Sequence, residues 1–168
     1  MPLSLYDVTI PVFIRSFGNL SAILDKGRAF ADAEGLPHGE LLEARLIADM
    51  HPLTSQVQRA SDSSKFVAVR VAQVEAPAME ADETSFDDLQ ARIARTVDFL
   101  KSVPAGSMDG REDAEVELRT PNTHLTFTAR DYVLGFALPN FFFHVTTAYD
   151  ILRHKGVPLG KMDFIGRP

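Results

Sequence analysis

The chain has 168 residues, 45% hydrophobic and 24% charged, which suits one domain spanning 1–168 with a single sizeable core. A formal charge of −6 and a sequence pI near 5.3, with no basic stripe, argue against nucleic-acid binding as the main task. The absence of cysteine removes disulfides, thiolate nucleophiles and cysteine-based zinc sites, and it is compatible with a cytoplasmic protein.

The first residues, MPLSLYDVTIPVFIRSFGNL, make a poor signal peptide, because no basic region opens them and Asp7 and Arg15 interrupt the apolar run. No uncharged apolar stretch reaches about 18 residues, so no membrane span is expected. Tyr6, Ile10, Phe13, Phe17, Leu20 and Leu24 recur at spacings of four and three and predict a first helix from Ser4 to about Ala33. Pro11 should bend its first turns or make it start late. Gly35-Leu36-Pro37 ends it.

Leu42, Leu46, Met50, Leu53 and Val57 form the stripe of a second predicted helix, from Pro37 to about Arg59. Pro52 interrupts it and should distort the backbone at His51. Ser64 to Val74 reads as a shorter helix, with a strand as the alternative because of its valines. Residues 76–83 form a polar connector, and Thr84-Ser85-Phe86-Asp87 resembles a capping box. Phe86, Leu89, Ile93, Val97 and Leu100 form the face of the next helix, which Pro104-Ala105-Gly106 closes.

Between Asp113 and Thr128, Val116, Leu118, Leu125 and Phe127 alternate with polar residues around Thr120-Pro121-Asn122-Thr123, the pattern of a β-hairpin. The last helix runs from about Arg130 to Gly156. Pro139 should kink or split it, and Gly156 should end it. On an ideal helix Val133, Leu134, Ala137, Phe141, Ala148, Ile151 and Leu152 share a face with His144, an imidazole set among core residues. The tail after Gly156 reads as extended. The fold class is therefore all-α: a four-helix bundle with a small hairpin between helices three and four. The segment at 64–83 could serve as a longer crossover.

His51-Pro52-Leu53, the run QARIARTVDFL at 90–100 and NFFFHVTTAYDILRHKGVPLGKMDF at 140–164 together resemble a bacterial branch, of unknown function, of the DinB-like superfamily. The resemblance covers almost the whole chain and implies a four-helix bundle, often homodimeric. It also implies a site for a divalent metal such as zinc or nickel, used by relatives that include thiol transferases and hydrolase-like proteins. The ligands implied are one histidine on helix two and two histidines four apart on helix four. His51 matches the first and His144 the second, but the third position is Ala148, which has no ligating atom.

Other donors fit poorly. His154 lies roughly 15 Å along the helix from His144. Asn140 and Thr147 are weak ligands, Asp49 projects from another face, and only His124 on the hairpin could swing in. His144 reads either as a core histidine needing a hydrogen-bond partner or as a ligand or acid/base group. His51 is open to the same two readings, whereas His38, His124 and His154 read as solvated or capping residues. Phe141 points with His144, while Phe142 or Phe143 could face a second subunit, as could Tyr149.

No phosphate-binding glycine loop and no nucleophile elbow occurs. Two functions follow. One is a bundle with a degenerate or atypical metal site at His51 and His144, serving as a non-catalytic small-ligand or interaction protein. The other is a metal-dependent hydrolase or thiol transferase acting on a small molecule.

Overall fold

The apolar stripe of the first helix builds the middle of the molecule. The computed structural model describes residues 3–167. Helix α1 spans Ile10–Glu34 and begins late, with Pro11 in its first turn where a missing N–H costs nothing. Phe13, Phe17, Leu20 and Leu24 are fully buried. Phe141 reaches across to Phe13 and Phe17, at ring-centroid distances of 4.5 and 5.3 Å. Burying such a ring contributes about 2–3 kcal/mol. Gly27 lets α1 approach the last helix: a Cβ there would meet a Leu152 methyl at 3.1 Å.

The second predicted helix is two helices. Helix α2 covers His38–Leu42, and α3 covers Leu53–Val67. The chain between them folds back on itself, with the Leu53 N–H on the Ala44 carbonyl and the Thr54 hydroxyl on the Leu42 carbonyl. Pro52 caps the start of α3 instead of interrupting a longer helix. His51 therefore stands on a turn and not on a helix. The segment at 64–74 is neither a separate helix nor a strand. It continues α3 and closes in a wide π-type turn, Ala68–Ala72, ended by Gln73 in left-handed geometry.

Helix α4 spans Phe86–Ser102. Its cap is one residue later than expected: the Ser85 hydroxyl accepts the Asp88 N–H, and the Asp88 carboxylate accepts the Thr84 N–H. Strands β1 (Glu115–Thr120) and β2 (Thr123–Thr128) pair antiparallel, with Leu118 opposite Leu125 and a two-residue turn at Pro121-Asn122. The last helix comprises α5 (Ala129–Tyr132), a second π-type turn (Val133–Ala137) and α6 (Leu138–His154).

Pro139 cannot donate to the Gly135 carbonyl, and the widened turn just before it absorbs the missing bond. The extra residue shifts the helical phase. Leu134 is consequently exposed, while Val133, Ala137, Phe141, Ala148, Ile151 and Leu152 are buried as expected. Gly156 ends α6 at φ 97°, a value glycine alone adopts without strain. The tail is not wholly extended: α7, Lys161–Ile165, docks on α1 through Lys26–Asp163 at 2.7 Å and through Asn19, which donates to the Phe164 carbonyl.

Around the bundle, α1 packs on α4 and α6, and α3 packs on those same two helices. Gln90 bonds to Ser21 and Asp87 to Arg28, so α1 and α4 run antiparallel. Gln58 pairs with Glu83 before α4, and Ser61 with Thr96 within it, so α3 and α4 run in the same direction. The connector at 73–85 is the crossover this requires. Among the described residues no helix is long and apolar enough to cross a membrane.

Candidate functional site

Helices α3 and α6 lie antiparallel, joined side chain to side chain along their length. Gln56 meets His144 at 2.8 Å, Asn140 donates to the Ser63 hydroxyl at 2.7 Å, and Arg70 donates to the Tyr132 hydroxyl at 2.8 Å. Arg59, Ser63, Phe66 and Arg70 follow one face of α3 and its π turn. Tyr132, Phe136, Asn140 and His144 recur every four residues on the facing helix. Between these two rows lies a half-open cleft of about 420 Å³, closed at one side by Leu118, Arg119 and Thr120 of β1. Both wide turns border it. Such turns commonly re-aim side chains at functional sites.

His144 is buried, and the bonds around it settle its tautomer. Gln56 Nε2 donates to the His51 carbonyl at 2.9 Å, which turns Gln56 Oε1 toward the imidazole. An amide oxygen only accepts, so His144 Nδ1 carries the proton and Nε2 keeps its lone pair. Burial, with the nearby charges of Arg59 and His51, pushes the His144 pKa down to about 4. At neutral pH His144 is an uncharged acceptor on the cleft wall.

At the other end, burial raises the Tyr132 pKa against the opposing influence of Arg70, so the phenol stays protonated. Its oxygen accepts from Arg70, leaving its own proton to give. The Arg70 guanidinium also lies 4.6 Å from the Phe66 ring centroid. Asp62, the acid on this wall, is engaged by Arg92 and Lys65, and Arg119 by Glu117. Among the described residues neither Arg59 nor Arg70 forms an ion pair.

The expected site residues are distributed unevenly. His144 is at the cleft. His51 is exposed and does not line the cleft; its carbonyl accepts from Gln56, and its side chain is near enough for its charge to bear on His144. Ala148 is fully buried in the core. His124 pairs with Glu117 at 3.4 Å, His38 with Asp32 at 2.7 Å, and His154 is exposed. Among the described residues no three His, Cys, Asp or Glu side chains are grouped to hold a metal ion. Gln56, Arg59, Ser63, Arg70 and Tyr132 were not anticipated. The four-residue recurrence from Tyr132 to His144 is the signal that could have shown that wall.

The chain is thus a four-helix bundle with a crossover between its second and third helices, a hairpin before the last and a cleft at His144. Residues 5–165 match the family described as a domain of unknown function, DUF1993, and the chain belongs to that family. It is also similar to the crystal structure of a DinB family member protein from Shewanella denitrificans. The two are 37% identical over 98% of this chain and 93% of the other, with a TM-score of 0.88. No curated protein matches the chain.

Proposed function

We propose that this chain is a small-molecule-binding bundle whose ligand occupies the α3–α6 cleft, and that its histidine pair is a degenerate metal site. The observation that carries this reading is the cleft lining: a neutral buried imidazole, Asn140, Ser63 and Tyr132 set beside Phe66, Phe136 and Ala137. A few fixed polar groups among apolar ones, around a volume of this size, are what small-ligand recognition needs. The residues do not fit a zinc or nickel centre with three protein ligands, since Ala148 supplies none and His51 lies on an exposed turn.

A metal-dependent hydrolase or thiol transferase is the second reading. One observation favours it: a histidine whose Nδ1–H is held by an oxygen acceptor presents Nε2 in the way metal-ligating histidines do. It requires His51 and His144 to share the metal and a further ligand to stand in place of Ala148.

Metal content by mass spectrometry, on untagged protein purified without chelator and beside His51→Ala/His144→Ala, separates the two. The expected result is no stoichiometric zinc or nickel in either protein, even after incubation with the ions. Near-stoichiometric metal in the parent, lost in the double variant, would overturn the ligand-only reading in favour of the metalloenzyme. The homodimer that the family resemblance implies is a further part of the proposal. Phe143 is its candidate contact, being exposed on α6, whereas Tyr149 is covered by Phe164. Light scattering on the parent and on Phe143→Ser checks it, with a dimer expected in the first and a monomer in the second.

A further inference from the structure

The two ends of the cleft differ in chemistry. At one end Arg70 donates to Tyr132 and stacks over Phe66, yet among the described residues it has no carboxylate partner. The Tyr132 phenol, which lines the same cleft, accepts from Arg70 and keeps its own proton to donate. Between the ends, Phe66, Phe136, Ala137 and Leu118 give apolar surface, interrupted by the Ser63–Asn140 pair. At the far end are Nε2 of His144, left with its lone pair by the Nδ1–H bond to Gln56, and the guanidinium of Arg59, which among the described residues forms no ion pair. A guanidinium beside a phenol O–H makes a charge-assisted donor pair suited to an oxyanion. A lone pair beside a guanidinium suits a hydroxyl, which gives to one and receives from the other.

We infer that the cleft takes a small organic anion, its carboxylate or phosphate held by Arg70 and Tyr132, its apolar body along Phe66 and Phe136, and a hydroxyl at His144. This rests on the ligand-binding reading above and names the class of ligand. Arg70 and Tyr132 would set affinity for the acid, while His144 and Arg59 would select what the other end carries.

The test is calorimetric titration of the full chain at pH 7 with 3-(4-hydroxyphenyl)propionate, phenyl phosphate and the neutral 2-(4-hydroxyphenyl)ethanol. At least one anion is expected to bind about tenfold or more tightly than the alcohol. Which anion wins distinguishes a carboxylate from a phosphate ligand. Arg70→Gln is expected to remove that preference, while Arg153→Gln, on the exposed face of α6, keeps it. If circular dichroism shows Arg70→Gln misfolded, Tyr132→Phe takes its place, with a severalfold loss confined to the anions. Equal binding of acid and alcohol would overturn the anion inference and leave the ligand-binding reading standing. No binding of any of the three at millimolar concentration would overturn both.

Discussion

Arg92 of α4 and Arg70 of the turn that ends α3 are treated in opposite ways. Arg92 is fully buried, and its guanidinium meets Glu83 at 2.8 Å, Asp62 at 3.1 Å and the Glu80 carbonyl at 2.8 Å. Burial works to raise the Glu83 pKa, but bonds from Arg92 and Gln58 hold it below its usual value. The cluster fastens the crossover at 73–85 to α3 and α4. Arg70 is half-buried, rests on two aromatic rings and has a phenol where a structural arginine would have a carboxylate. A buried charge matched by anions holds a fold together; a charge left unmatched in a cleft is available to a ligand.

Breaking the matched side carries the largest expected effect. Arg92→Met strands Glu83 as a buried charge and should cost about 3–5 kcal/mol in urea unfolding. If Arg70→Gln costs as much, the contrast fails and Arg70 is structural too.

Acid comes next. Because the folded pKa of His144 lies below that of the unfolded chain, the unfolded state takes up its proton first. Stability attached to this residue is complete above about pH 6.5 and is lost as pH falls toward about 4. The loss should be on the order of 2–3 kcal/mol by linkage. His144→Gln should flatten that part of the stability–pH curve, measured as the difference between parent and variant.

Gln56→Met leaves both the His144 Nδ1–H and the His51 carbonyl without their partner. A cost of about 1–2 kcal/mol is expected. The nitrogen chemical shifts of His144 should move away from the pure Nδ1–H form, and an unchanged spectrum would show that another group sets the tautomer. Arg70→Gln sharpens the comparison from the other side, with an expected stability change within about 1 kcal/mol.

Much of the bundle was legible in the sequence. The stripe of α1, the face of α4, the alternation around Pro121-Asn122 and the placement of His144 all follow from periodicity that packing then enforces. The misreading at 37–59 has a definite cause. Leu42, Leu46, Met50, Leu53 and Val57 keep helical spacing across a turn, so the period runs unbroken where the backbone does not. Pro52 marks the break, and its position at the start of α3 tells more than the stripe.

The π turns were invisible because one extra residue per turn has no composition signature; exposed Leu134 is where that shows. One member of the candidate site, His144, was readable, since it lies on a core face. Arg59 and Arg70 were not, because a long cationic side chain on a helix ordinarily lies in solvent. The cleft they line forms only when the last helix packs on α3, far along the chain: Ser63 and Asn140 are 77 residues apart.

Arginine side-chain NMR tests the contrast most directly, because each Nε–H reports its own surroundings. The Nε–H signals of Arg70, Arg59 and Arg92 would be followed as 3-(4-hydroxyphenyl)propionate is added to the full chain, with assignments from single substitutions. The Arg70 signal, and to a lesser degree that of Arg59, is expected to shift saturably while Arg92 stays fixed. Saturable binding that leaves Arg70 and Arg59 unmoved would contradict the assignment of the α3–α6 cleft as the ligand site.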